Sequence, residues 1–311
     1  MDERIVKETK VQKSSLSAGW IVFIVIAVFM FMILPLLLVF TPEEQSGNVA
    51  LIEVRGVITE DGGSSFGESS ASAADIVSFI RDADEDSSIQ AIVIDINTPG
   101  GSAVASDEIA QELKRSSKPT VAYIHEMGTS GGYWIASATD TIIANRMSIT
   151  GSIGVIASYL EFSGLMDDYG VTYQRMVAGK YKDMGTPFKT PTQEEKNLLQ
   201  SKLDQIHSFF IQEIAENRKL STDQVTRLAT GEIFLGNEAL HLGLVDKLGG
   251  AEVLEQHLKE ITHEDTIEFV YYAPEPSIFD ALLGVTAEQF FFMGRGIGSA
   301  LTEQNRLGLM T

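Results

Sequence analysis

The chain has 311 residues, a formal net charge of −20 and no cysteine. That length allows a sizeable core, in one large domain or two small ones. The acid excess argues against nucleic acid, whose phosphates select basic surfaces, and the missing cysteines exclude disulfides and thiolate chemistry without deciding the redox compartment.

Residues 19–40 are a run of 22 without a charge, long enough as a helix to cross about 30 Å of hydrocarbon. Arg4, Lys7, Lys10 and Lys13 precede it; Glu43 and Glu44 follow, with no Lys or Arg before Arg55. The positive-inside bias places 1–18 in the cytoplasm and everything after the span on the outer side of the cell membrane. Trp20 suits an interfacial anchor, and Pro35 a kink near one end. No A-x-A-like site follows at Thr41-Pro42-Glu43, so a retained single-pass anchor is expected rather than a cleaved signal peptide.

A polar linker at 41–49 leads into the segment expected to fold as the main domain, 50–275. Residues 50–58 read as a strand and 61–72 as an acidic, Gly/Ser-rich loop. Ile76, Phe79 and Ile80 fall at helical spacing within 73–83. The β-branched run 89–96 has the signature of a strand buried on both faces. Asn97-Thr98-Pro99-Gly100-Gly101 ends it, and Ser102 is a fitting N-cap for a helix over 102–114. Further strands are expected at 120–124, 141–144, 153–157 and 171–177. A capping box, Thr192-x-x-Glu195, starts a long helix whose stripe is Leu199, Leu203, Ile206, Phe210 and Ile214. Residues 231–250 read as turn, short helix and turn. The tail 276–311 carries Phe290, Phe291, Phe292 and Met293; it is too interrupted for a second span and reads as amphipathic. Strands alternating with helices imply an α/β fold with a mostly parallel sheet.

The stretch 127–155 holds the chemistry. Ser130 lies between Gly128 and the pair Gly131-Gly132, after a strand and before a small-residue helix. A serine at such a turn sits beside unpaired backbone N–H groups, which favour developing negative charge. That suits an acyl-transfer nucleophile; a Gly/Ser turn that merely tightens a strand–helix junction fits the same residues. A nucleophilic serine needs a base. None of the five histidines (His125, His207, His241, His257, His263) has an acidic neighbour that spacing recommends. Lys180 and Lys182, in the loop after 171–177, would serve only if burial kept the amine uncharged. Spacing alone cannot bring either to Ser130.

Five segments in order resemble one family: N-T-P-G-G at 97–101, T-S-G-G-Y-W-I-A at 129–136, T-G-S-I-G-V at 150–155, G-K-Y-K-D at 179–183, and G-E-I-F-L-G with G-L-V-D over 231–246. The chain is similar over about 50–250 to signal peptide peptidase A, in its short single-domain form. That resemblance implies a membrane serine protease with a serine–lysine dyad on a spiral of ββα units like that of Clp protease and crotonase. It implies Ser130 as nucleophile, Lys182 as general base, Ser152 as the residue orienting the lysine, and the amides of Gly101 and Gly131 as oxyanion hole, with no cofactor and no metal. It further implies a homo-oligomeric ring whose sites are shared between subunits, acting on signal-peptide remnants and other short apolar peptides. Thr98 stands where the family often has serine, and Trp134 where it often has tyrosine. Related alternatives are a membrane protease that cleaves stomatin-like scaffold proteins and a catalytically silent ring scaffold. A crotonase-type acyl-CoA enzyme is disfavoured by the expected anchor.

Overall fold

The computed structural model describes residues 18–33, 46–65 and 68–274, which fall into two units divided after Gln45. The first unit contains helix α1, Ala18–Val28, followed by a π-helical turn, Phe29–Ile33. Trp20, Phe23 and Phe31 of this unit are exposed. Among the described residues no helix is long and apolar enough to cross a membrane. The expected span continues through 34–40, which lie outside the described residues, as do 1–17 and the tail from 275 onward.

The second unit is a mixed α/β fold around a central sheet. In chain order it comprises β1 Val49–Arg55, β2 Ile58–Thr59, β3 Gly63–Ser65, β4 Glu68–Ser72, α2 Ala73–Glu85, β5 Ala91–Thr98, α3 Ala103–Arg115, β6 Thr120–Thr129, α4 Gly131–Ser137, β7 Thr141–Ala144 and β8 Ile149–Gly151. There follow α5 Ser163–Asp168, α6 Gln193–Arg218, α7 Thr222–Leu228, β9 Ile233–Leu235, α8 Gly236–His241, β10 Lys247–Leu248, α9 Ala251–Thr262 and β11 Phe269–Tyr272. The sheet runs β10-β7-β6-β5-β1-β11 with every neighbouring pair parallel. β8 extends it parallel to β6, and β9 pairs antiparallel with β8.

β5 is buried on both faces, as its nearly continuous β-branched run leads one to expect. Ile92, Ile94 and Ile96 pack into the larger core with α2, α3 and α4, while Ala91 and Val93 pack into a second cluster with Leu254 and Leu258 of α9. Each fully buried isoleucine contributes about 1.5–3 kcal/mol, so the sheet is a stiff base for whatever its strand ends carry. Local rules hold at the helix starts. Ser102 Oγ accepts from Ala105 N–H, and the Thr192–Glu195 capping box is closed in both directions.

Three expectations need correction. The segment 61–72 is not a bare loop, because β3 and β4 form a hairpin that joins β2 in a small sheet. Residues 153–157 and 171–177 are not strands: between β8 and α6 the one regular element is the short helix α5. Ile153 is buried in the core and its carbonyl accepts from Gly231 N–H, but beyond it the apolar side chains of both segments find no ladder partner within the chain, with Ile156 88% and Met176 92% exposed. Finally, β6 does not stop at Ile124. It leaves β7, takes β8 as partner over Met127–Thr129, and so carries the chain to Ser130 as strand.

Candidate active site

Ser130 follows directly on the last residue of β6 and caps α4. Its backbone is at φ 53° and ψ −121°, a region that non-glycine residues occupy only when the surroundings hold them there. Its N–H donates to Gly151 O at 2.9 Å, and its carbonyl accepts from Trp134 N–H at 3.0 Å. Its hydroxyl makes no capping bond. A serine on a strained strand-to-helix turn, with a free hydroxyl, has the geometry of a nucleophile elbow.

Two amides converge beside it. Gly131 is the first residue of α4, so its N–H has no acceptor within the helix. Gly101 follows β5 and bridges Ile58, but the bridge uses Gly101's neighbours: Ile58 N–H donates to Gly100 O at 3.0 Å and Ser102 N–H to Ile58 O at 2.9 Å. The Gly101 N–H therefore points away from Ile58. The two glycines are tightly apposed, since a Cβ on Gly131 would lie 3.3 Å from the Gly101 nitrogen and 2.3 Å from Ser106 Oγ. α3 and α4 both begin here, so their dipoles add at the same point.

Ser130, Gly101, Gly131 and Ser152 line one cleft of about 700 Å³. Ser152 has φ 51° and donates its N–H to Glu232 O at 2.7 Å. The wall supplied by α6 is mixed: Leu203, Ile206 and Phe210, with Trp134 stacked on Phe210 at 4.6 Å between ring centres, alternate with Gln200, Asp204 and His207. The segment 231–236 reaches the cleft through Gly231, and its strand β9 backs β8. Asp246 of G-L-V-D has a structural part instead, accepting from Arg218 and from Ile142 N–H. Four of the five motif segments thus assemble around one cavity or its support.

Lys182 does not line that cleft. It is exposed, on a turn where its N–H donates to Gly179 O at 3.2 Å. The surrounding charges separate it from its neighbours. Lys180 pairs with Glu194 at 2.6 Å, and Lys189 with Glu195; these hydrogen bonds push both lysines up from their ordinary values. Arg175 clamps Asp183 with two bonds, and that hydrogen bonding brings its carboxyl down to about 2. Among the described residues the Lys182 amine has no carboxylate partner.

Of the histidines, one reaches the cleft. His207 lines it, with a buried Nε2 that has no hydrogen-bond partner, a position that helix spacing from Leu203 and Phe210 could have revealed. His125 lies 2.7 Å from Asp95, His257 Nδ1 is 2.8 Å from Lys247 Nζ, and His263 is the left-handed C-cap of α9. No described group of His, Asp or Glu is arranged to hold a metal ion.

Comparison with known proteins places the chain in a family. The model of peptidase family S49 matches residues 112–264. A Methanocaldococcus jannaschii protein with a provisional protease name is 34% identical over 227 residues, covering 72% of each chain. An Enterococcus faecium protein provisionally named signal peptide peptidase SppA is 33% identical over 74% of this chain and 69% of its own. Protease 4 of Haemophilus influenzae is 34% identical over 65% of this chain but only 33% of its own length. Among solved structures, a point mutant of a membrane-bound stomatin-specific protease aligns over 74% of this chain and 99% of its own, with TM-score 0.48 and 17% identity. With relatives of this identity and coverage, the chain belongs to peptidase family S49, as a serine protease of the signal peptide peptidase kind.

Proposed function

We propose that this protein is a membrane-anchored endopeptidase in which Ser130 of one subunit is activated by Lys182 of a neighbouring copy. The observation that carries the reading is the pairing of a strained, uncapped Ser130 beside two converging amides with an unpaired Lys182 that stands outside the same cleft. The exposed apolar side chains between Ile156 and Phe188 give a second copy a surface to cover. A ring closes when such a head-to-tail contact repeats. On the fold, the spiral of ββα units implied by the resemblance is compatible with the sheet order.

In the reaction, Ser130 Oγ attacks the peptide carbonyl carbon while its proton passes to Lys182 Nζ, which accepts it only as the uncharged amine. Ser152 orients that amine. The carbonyl oxygen becomes an oxyanion between the N–H groups of Gly101 and Gly131, where one such donor is worth about 10²–10³ in rate. The tetrahedral intermediate collapses, the lysine ammonium gives its proton to the leaving amine, and water, deprotonated by the same lysine, releases the acyl group. The apolar side chains of Leu203, Ile206, Phe210 and Trp134 within the mixed lining suit short apolar peptides such as signal-peptide remnants, with Gln200, Asp204 and His207 left to meet their backbone. A stomatin-like substrate uses the same chemistry, and cleavage assays on both classes separate the two. Anchoring rests on the uncharged stretch 19–40 and the exposed apolar surface of α1, with the catalytic unit on the outer side.

The test is complementation. A Ser130→Ala chain and a Lys182→Ala chain, each inactive alone, regain about a quarter of native activity when co-assembled, since random neighbours restore that share of junctions. Failure of the mixture to regain activity, with fluorophosphonate still labelling Ser130 of the native protein, rules out a site shared between copies. No labelling of Ser130 at all rules out the nucleophile.

A further inference from the structure

We propose that Thr98 is a positioning residue of the oxyanion hole, and that its hydroxyl, by fixing the peptide that enters Gly100, keeps the adjoining Gly101 amide on target. The inference rests on the serine-peptidase reading above. Thr98 ends β5, fully buried, just after the strand slips register against β6. Its Oγ1 donates to Gly56 O at 2.5 Å and accepts from the Gly100 N–H at 3.0 Å. One side chain thereby joins the turn after β1, the end of β5 and the Pro99–Gly101 loop.

The peptide planes around Gly100 explain why this matters. The plane before it is held by Thr98, through the Gly100 N–H. The plane after it is held by Ile58, whose N–H binds Gly100 O. In a trans peptide the N–H points opposite to the C=O, so anchoring Gly100 O on Ile58 aims the Gly101 N–H into the cleft. Gly100 itself sits at φ +98°, with no side chain to resist rotation. Cutting either anchor leaves its backbone free to swing, and a donor displaced by about 1 Å loses much of its effect.

The two branches of Thr98 face different parts of the site. The hydroxyl holds the Gly100 side, while the methyl packs on α4, where a Cβ on Gly132 would lie 2.5 Å from Thr98 Cγ2. Substitution can separate them, because valine keeps the methyl and serine keeps the hydroxyl.

The experiment measures peptide hydrolysis by the full-length protein in detergent, with thermal stability followed in parallel. Thr98→Val is expected to lower kcat by about tenfold or more with KM within about twofold, the pattern of an interaction made in the transition state. Thr98→Ser is expected to stay within about threefold of the native kcat. Thr98→Cys, of intermediate volume and with a weak donor and acceptor, serves if the valine variant does not fold; it should fall at least about fivefold below Thr98→Ser. Native kcat in Thr98→Val, an equal fall in Thr98→Ser, equality of the Cys and Ser variants, or a loss confined to KM would each overturn the proposal. An unsubstituted protein that neither hydrolyses peptides nor labels at Ser130 would instead overturn the underlying enzyme reading.

Discussion

Lys180 Nζ lies 2.6 Å from Glu194 Oε2, so the lysine two residues before Lys182 is committed to a carboxylate on α6. A general base cannot also be a standing ion-pair donor, and this contact distinguishes two lysines that look alike in sequence. Lys182→Ala is therefore expected to abolish peptide cleavage, while Lys180→Ala keeps at least about a tenth of it. Single-turnover hydrolysis of a fluorogenic peptide measures both, and an essential Lys180 would reverse the assignment.

His207 is the one histidine in the cleft, and its expected part is in substrate contact. His207→Gln should raise KM while leaving kcat within about threefold. A fall in kcat of about 10³ or more would instead make it the base of a serine–histidine pair.

Gly131 is crowded on two sides, by Ser106 Oγ and by the Gly101 nitrogen. Gly131→Ala should both lower the melting temperature and remove activity. Adding Ser106→Ala takes away the 2.3 Å clash but leaves the new methyl 3.3 Å from the Gly101 nitrogen. The double variant is thus expected to regain stability without regaining cleavage. Recovery of both would mean that the amide of Gly101 is not used.

Asp183, clamped by Arg175, titrates lower in the folded chain, at about 2, than the ordinary value near 3.9. Its contribution to order in the segment is present above about pH 4 and is lost as pH falls toward 2. An acid-active endopeptidase should cut within 170–190 much faster at about pH 2 than at about pH 4.5. Asp183→Asn should be cut quickly at both, and a native chain with no such difference would show that the clamp does not order the segment.

Local chemistry made several elements legible without a structure. The Thr192–Glu195 box, the Ser102 cap and the doubly buried β5 depend on neighbours in sequence or on period, and all three are found where they were expected. The motif segments likewise marked Ser130, Gly101, Gly131 and Ser152, which the fold brings to one cleft. The limits appear where a residue's state depends on distant chain. Residues 153–157 and 171–177 have the composition of strands, but a strand needs a continuing ladder partner, and apart from one bond from Gly231 to Ile153 the chain offers them none. Which way the Gly101 amide points depends on two anchors of the peptides flanking Gly100, Ile58 on another turn and the Thr98 hydroxyl at the end of β5. Which lysine is free is decided by Glu194 and Glu195 at the start of α6. Hydrogen bonds between segments far apart in sequence set direction and pairing, and neither leaves a periodic trace in the sequence.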